Sequence, residues 1–374
     1  VKHRPNDHDD FLSHRGEYMI KTLHIRVKDK HSNILNRMAM EVNMVWNFTN
    51  ELSHRSINER YKWLSGYELQ KYVTGSSQAG LCIPQETINS ICNEYAYKRN
   101  QAKKTKLSWR TSFGSRKSLG WIPIKKGSAK YRNGKIFFYG SNFGIWDSYG
   151  LSKYELRSGN FSQDGRGRWY INIAVEVADV MSDGTKAIGI DLGLKEFLTT
   201  SDGLKVKAEQ IYRKSENDLA TAQRANKKNR VRAIHAKIKN RRADMLHKLS
   251  TKLVGDNAAI FVGNVSSSKL ARTNMGKSVN DAGWYMFKKM LEYKSIRAQV
   301  FFEEVNEAWS TQTCSACGCI AGPKGLAGLN EREWTCVCGV THDRDINSAA
   351  IILARGLSRL EAGSQCIGSS QYRG

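Results

Sequence analysis

The sequence predicts an α/β second half that carries a zinc-binding module, preceded by a first half of helices and a small β-barrel. Three observations predict this. From Lys186 onward, strand-like runs come first and then alternate with helix-like ones. Four cysteines crowd into two tight knuckles between Cys314 and Cys338, where a disulfide framework would spread them out. In the first half, short strand-like runs separated by Gly-rich turns follow two helical stretches. A length of 374 residues allows two or three domains, and 40% hydrophobic content is enough to bury a core.

Taken in order, residues 1–17 form a polar leader, and Tyr18–Val27 alternates as a strand. Ile34–Leu52 places apolar residues at helical spacing, and Glu86–Ala96, bounded by Pro84, reads as a second helix. Strands are expected at Lys135–Tyr139 and Trp169–Val177, and the halves should meet near Gly184 and Thr185. Lys186–Asp191, Glu196–Thr200 and Leu204–Ala208 read as a β-meander, the last two joined by Ser201-Asp202-Gly203. Glu209–Val254 then runs 46 residues without Gly or Pro and predicts long basic helices. Ala258–Val262 and Gln299–Asn306 are expected strands, Trp284–Ser295 a helix, and Asp345–Arg355 a short helix stopped by Gly356. A Gly/Ser-rich tail, expected to be disordered, follows.

Lys and Arg number 59 against 35 Asp and Glu, a net charge of +24. Such a field attracts polyanions. No run approaches the roughly 18 apolar residues of a membrane span, so neither a membrane partner nor a small-molecule substrate is expected. The start of the chain lacks the apolar core of a secretory signal, and a bacterial or archaeal cytoplasm, near the nucleoid, is the expected location.

Much of the charge lies in two blocks. Gln101–Lys135 holds eleven Lys or Arg and no acid, with aromatic rings among them; cations can pair with phosphates while rings stack on bases. Its candidate nucleic-acid contacts are Lys103, Lys104, Lys106, Arg110, Arg116, Lys117, Trp121, Lys125 and Lys126. Arg213–Lys252 holds thirteen basic residues against three acidic ones. Arg224, Lys227, Lys228, Arg230, Arg232, Lys237, Arg241 and Arg242 are the candidates there, on the side of an amphipathic helix away from its apolar stripe. The competing readings are a solvated charge run and a solvated helical arm.

Cys314-x-x-Cys317-Gly, seventeen further residues and Cys336-x-Cys338-Gly match a structural Zn²⁺ held by four thiolates. The second knuckle is one residue shorter than usual, Cys319 is a spare thiol, and His342 could substitute for one ligand. Cys82, Cys92 and Cys366 read as ordinary. In Gly189-Ile190-Asp191-Leu192-Gly193, a carboxylate ends an apolar strand, where its charge needs a cation or hydrogen-bond donors. A turn-capping Asp is the simpler alternative. Asp345, in His342-Asp343-Arg344-Asp345-Ile346-Asn347, opens an apolar helix and could simply cap it. Together the two acids suggest carboxylates gathered around divalent metal for phosphodiester hydrolysis.

GIDLG, DMLHKLSTKLV, WSTQTCSACG, the Cys336–Cys338 knuckle and HDRDINSAA occur here in an order that resembles the C-terminal half of TnpB, the transposon-encoded ancestor of type V CRISPR effectors. SLGWIPIKK and the opening strand-then-helices layout are similar too, so the resemblance covers most of residues 18–356. It implies an RNA-guided DNA endonuclease. A guide RNA copied from the transposon end would direct the chain to double-stranded target DNA beside a short motif. The implied architecture is a wedge-like β-barrel (18–33 and 101–184) interrupted by a helical recognition domain (34–100). A ribonuclease H-like RuvC nuclease domain (185–309 and 343–356) would follow, holding two Mg²⁺ ions, with the zinc ribbon (310–342) inserted and 357–374 as tail.

By the resemblance, Asp191 matches the first RuvC carboxylate and Asp345 the third. The second departs from the pattern: most relatives place a Glu after the strand that here ends in Gly263-Asn264. Some family members carry it some forty residues later, where this chain offers Glu303, Glu304 and Glu307. Alternation puts Glu303 and Glu307 on one strand face and Glu304 on the other, without choosing between the faces. Glu307 is preferred because it ends the strand and leads into the zinc module, with Glu304 second. Two other functions compete. A catalytically inactive RNA-guided DNA-binding protein, repressor-like, would explain the missing Glu. An actin-like ATPase would share GIDLG, but the +24 charge and the absence of a second Gly-rich phosphate loop oppose it.

Overall fold

The computed structural model of the chain describes residues 18–178, 181–266, 270, 272, 276–324, 328 and 331–369. The polar leader and the last five residues lie outside the described residues, as does the side chain of Cys366. The chain divides into two compact units, Val1–Ala178 and Asp179–Gly374.

In the first unit, β1 (Tyr18–Arg26) is followed by helices α1 (Ser32–Arg60), α2 (Gly66–Lys71) and α3 (Gln85–Ala102). Strands β2 (Trp121–Ile124), β3 (Ala129–Arg132), β4 (Lys135–Phe138), β5 (Ser141–Gly144), β6 (Leu156–Gln163) and β7 (Trp169–Ala178) follow. α1 runs past the predicted Leu52 because Ser53 and Ile57 continue its buried face at helical spacing. α2 was not foreseen, although Ser65-x-x-Glu68 forms a capping box at its start.

The strands do not close into a barrel. They form an antiparallel sheet of order β1-β7-β6-β2 and a separate sheet β3-β4-β5. The physical reason is the helices: Leu35, Met38 and Val42 of α1 and Ile88, Ile91 and Tyr95 of α3 share one core with Ile171, Ile173 and Val175 of β7. The two sheets themselves meet through side chains, Phe161 of β6 against Phe138 and Phe143, and not through a continuous ladder, and the helical segment, sharing their core, is not a separate body.

The second unit holds β8 (Lys186–Leu192), β9 (Glu196–Thr200), β10 (Lys205–Lys207), α4 (Glu216–Arg224), α5 (Lys228–Asp256) and β11 (Asn257–Gly263). After these come α6 (Gly276–Ala282), α7 (Trp284–Ala298), β12 (Phe301–Val305), β13 (Glu333–Thr335), β14 (Thr341–Asp343) and α8 (Arg344–Ser369). One sheet runs β10-β9-β8-β11-β12. The meander β8–β10 is antiparallel, whereas β11 lies parallel to both β8 and β12.

Strand alternation sorts the two faces of this sheet. Ile188, Ile190, Ile260 and Val262 pack with Leu246 and Leu253 of α5 and Phe287 and Leu291 of α7. Ala259, Phe261 and Val305 pack with Ile352 of α8 on the other face. α8 comes close because two glycines allow it. A β-carbon at Gly189 would lie 2.2 Å from the Ala349 carbonyl oxygen, and one at Gly356 would lie 2.1 Å from the Phe261 ring. Gly356 is therefore a close-packing position and not a helix stop: α8 continues to Ser369 across residues expected to be disordered, with Leu357 and Leu360 packed on the sheet.

Candidate carboxylate and zinc centres

The sulfur atoms of Cys314, Cys317, Cys336 and Cys338 lie within 4.8 Å of one another. The Cys314–Cys338 and Cys317–Cys336 separations are 3.8 and 3.6 Å. A tetrahedron with Zn–S bonds of about 2.3 Å has edges of about 3.8 Å, whereas a disulfide needs about 2.05 Å, so the quartet fits zinc. Gly318 and Gly339 take φ of 80° and 87°, and each donates its amide to the first cysteine carbonyl of its knuckle. Desolvation acts to raise the Cys314 thiol, yet the amides of Cys317 and Ala316 and the His342 ring bring it down to about 6. Buried His342 packs tilted against the Trp334 ring and touches the Cys314 sulfur at 3.0 Å, so it supports a ligand where the sequence allowed it to replace one. Cys319 stays outside the quartet. Asn347, buried in the first turns of α8, accepts from the Ser315 amide at 2.9 Å and donates to the Thr313 carbonyl at 2.7 Å, tying the first knuckle to α8.

Asp191 sits on β8, half-buried, on the face that meets α8. Ser348 of α8 acts to lower its carboxyl pKa, and the Ser348 hydroxyl is 2.7 Å from that of Ser310. The sequence offered no signal for this serine pair beyond the positions of Ser310 in WSTQTCSACG and Ser348 in HDRDINSAA. Burial, then the charges of Glu307 and Asp345, push the Asp191 carboxyl up to about 7. Glu307 and Asp345 therefore stand near enough for their charges to reach Asp191, a surplus of negative charge at that carboxyl that a cation would relieve.

Asp345 does not cap α8. Asp343 does, its Oδ1 accepting from the amides of Asp345 and Ile346 at 3.1 and 3.0 Å. Burial alone would raise the Asp343 carboxyl, but Lys205 and those amides outweigh it and hold it below its usual range. The Asp345 carboxylate is thus left to other partners, and Arg332 of the ribbon donates to it at 3.0 Å.

The three candidate glutamates separate cleanly. Glu303, on the α8 face, pairs with Arg359 at 2.8 Å. Glu304, on the α7 face, pairs with Lys288 at 2.6 Å. Glu307, half-buried past the end of β12, turns back over β11: a β-carbon at Gly263 would lie 2.3 Å from its Oε2. Burial pushes its carboxyl up, against the pull of the Lys288 ammonium and the Val265 amide. Of the candidates, Asp191, Glu307 and Asp345 are the ones brought together. They are hard oxygen donors of the kind Mg²⁺ takes. They form an open group, because among the described residues only the cysteine quartet gathers its ligand atoms within 4.8 Å.

Most of the candidate nucleic-acid contacts are exposed, including Lys103, Lys104, Arg116, Lys117, Lys125 and Lys126, and on α4, α5 and their junction Arg224, Lys227, Lys228, Arg230, Arg232, Lys237 and Arg241. Among the described residues five are engaged within the protein, and one of them is exposed Lys126, which pairs with Glu155 at 3.6 Å. Arg110 donates to Asn43 at 2.7 Å and to the Leu119 carbonyl at 2.8 Å. Arg242 pairs with buried Asp281 at 2.8 Å. Lys106 pairs with Glu51 at 2.9 Å, and Trp121 packs against the core. Charge runs alone do not reveal such internal partners.

Residues 170–274 match the family model described as "Probable transposase", OrfB_IS605, and residues 284–352 match "Cas12f1-like, TNB domain". A protein of Streptomyces pristinaespiralis named "Putative RNA-guided DNA endonuclease" is 36% identical over 221 residues, covering 54% of this chain and 53% of its own length. InsQ of Escherichia coli, with the same description, is 28% identical over 228 residues, covering 53% and 56%. The chain spans about half the length of these two curated relatives. Cas12f1, solved with sgRNA and target DNA, superimposes with a TM-score of 0.57 over 90% of this chain and 99% of its own, at 11% identity, a likeness of fold. The two matched segments thus make the second unit similar to OrfB_IS605 and Cas12f1-like proteins. A TnpB-like protein of Acanthamoeba polyphaga mimivirus, L79, is 28% identical over 196 residues, covering 45% of this chain and 37% of its own length, so the likeness extends to TnpB-type proteins.

Proposed function

We propose that the chain is an RNA-guided DNA endonuclease whose five-stranded sheet is a ribonuclease H-like, RuvC-type nuclease fold. One observation carries this: Glu307 lies over Gly263 beside Asp191, returning a carboxylate to the end of β11 from a different strand. A chain freed from catalysis has no evident need for that arrangement, which favours activity over guide-dependent binding alone.

Asp191, Glu307 and Asp345 would hold two Mg²⁺ ions, and Ser348 and Ser310 would fix the Asp191 carboxylate. Bound magnesium supplies activation of water and stabilisation of the leaving oxygen in phosphodiester hydrolysis. By taking over the helix cap, Asp343 leaves the Asp345 carboxylate out of it, with Arg332 as its partner in place of the helix amides. The exposed cations of the two basic blocks would bind the phosphates of a transposon-derived guide RNA and of the target DNA. The zinc ribbon, tied to α8 through Asn347, would hold Asp345 in place. The relatives' names and the Cas12f1 complex support guide RNA and DNA as partners.

The test purifies the protein with the RNA it retains, sequences that RNA, and offers guide-matched DNA in a randomised library. Cutting that EDTA and Asp191→Ala each abolish is the expected result. Tight guide-dependent binding with DNA left intact in Mg²⁺ would establish the inactive binder instead.

A further inference from the structure

Glu307 lies beyond the last ladder pair of β12, where no strand partner fixes its backbone. Two side chains outside the acidic group supply that constraint. Asn264, the residue after Gly263, accepts from the Glu307 amide through Oδ1 at 3.3 Å, and its own amide donates to the Val305 carbonyl at 2.9 Å. Together these bonds carry the β11–β12 pairing past its end, to Glu307. Lys288 of α7 is only 8% exposed. Its ammonium binds Glu304 at 2.6 Å and the Val265 carbonyl at 3.4 Å. Against burial, the Lys288 charge and the Val265 backbone both pull the Glu307 carboxyl down, so both act on the acid. Val265 is thus held on its carbonyl side by a buried lysine, next to the acid.

We propose that Asn264 and Lys288 are positioning residues that hold Glu307 over Gly263, Asn264 through the Glu307 backbone amide and Lys288 through the Val265 carbonyl. The proposal rests on Glu307 being a metal-binding acid. A buried ammonium is costly to maintain unless paired and hydrogen-bonded, and its two partners here are the neighbouring strand β12 and the loop that carries Val265. Partners of this kind orient metal ligands, and losing one typically weakens metal binding about 10- to 100-fold.

The test is Mn²⁺ titration of the zinc-loaded full chain, following the free-ion electron paramagnetic resonance signal, with the thermal midpoint measured alongside. Asn264→Ala and Lys288→Met should each weaken Mn²⁺ binding about 10-fold. Asn264→Asp, which keeps the acceptor, and Lys288→Arg, which keeps the charge and a donor, should recover most of the loss. A purely structural role would show no such rescue, and its absence overturns the proposal. Asn264 is exposed, so its alanine variant tests the idea even if Lys288→Met does not fold. Glu307→Gln separates the two failures. If it loses Mn²⁺ while Asn264→Ala and Lys288→Met bind as the parent does, the positioning proposal is wrong and the acid assignment stands. If Glu307→Gln itself binds Mn²⁺ as the parent does, the acid assignment falls and the proposal with it.

Discussion

The Glu307 carboxylate occupies the space that a side chain at Gly263 would take, with a β-carbon there only 2.3 Å from Oε2 and 3.3 Å from the Glu307 β-carbon. The glycine and the glutamate are therefore one feature: the Glu307 carboxylate reaches the end of β11 from β12 because β11 leaves room for it.

Gly263→Ala follows directly. The atom it meets is the tip of a flexible side chain, so the fold should survive with a thermal midpoint shifted by no more than a few °C, while Glu307 is displaced. Guide-dependent cutting should fall about 10-fold or more. The double variant Gly263→Glu/Glu307→Ala returns a carboxylate to that space from β11 and should cut better than Glu307→Ala alone. An unchanged cutting rate in Gly263→Ala would count against the shared site.

The Asp191 carboxyl lies at about 7 in the folded chain against an ordinary 3.8. Between those values the native state keeps a proton that the unfolded chain has lost, so the stability of the metal-free fold decreases as pH rises through that window and levels off above it. Asp191→Asn removes this dependence, and its thermal midpoint at pH 8 should exceed that of the metal-free parent. Mg²⁺ binds the ionised carboxyl, so its stabilisation of the parent should be larger at pH 8 than at pH 6. Equal pH slopes in parent and variant would contradict the buried-acid account.

Arg332 donates to Asp345 at 3.0 Å, and a metal at that carboxylate has to displace it. A partly exposed pair of this kind contributes about 0.2–1 kcal/mol, so Arg332→Ala should bind Mn²⁺ up to about 5-fold more tightly in the zinc-loaded chain. Weaker binding in the variant would show that the arginine supports the metal and does not compete with it.

Zinc content checks the ribbon. Cys314→Ser and Cys336→Ser should each lose the metal by elemental analysis, whereas Cys319→Ser should retain it. Because Asn347 ties the first knuckle to α8, the two zinc-deficient chains should also be cut faster by protease near residues 310–345. Retention of zinc by Cys336→Ser would point to His342 as a replacement ligand.

What the sequence made legible was local. The quartet of cysteines carries its own geometry in short spacings, and the strand ending in Asp191 is an apolar run stopped by glycines. Residue choices that depend on distant packing were less legible. Glu303, Glu304 and Glu307 share one short segment, and only the partners Arg359 on α8 and Lys288 on α7 separate them. Arg110 and Arg242 look like surface charge in a basic run until Asn43 and Asp281 are seen to receive them. Gly356 looked like a helix stop because the Phe261 ring against it comes from a strand about ninety residues earlier. The barrel was expected from short strands and Gly-rich turns, whereas the strands sort into two separate sheets that share a core with helices α1 and α3.

The most direct measurement is the single-turnover rate of cutting guide-matched DNA, in saturating Mg²⁺, by the RNA-bound parent, Glu307→Gln and Glu303→Gln. Glu303 shares the sheet face but pairs with Arg359. The account predicts that Glu307→Gln cuts about 100-fold more slowly, or not at all, while still binding the target, and that Glu303→Gln stays within a few-fold of the parent. Parent-like cutting by Glu307→Gln would contradict it.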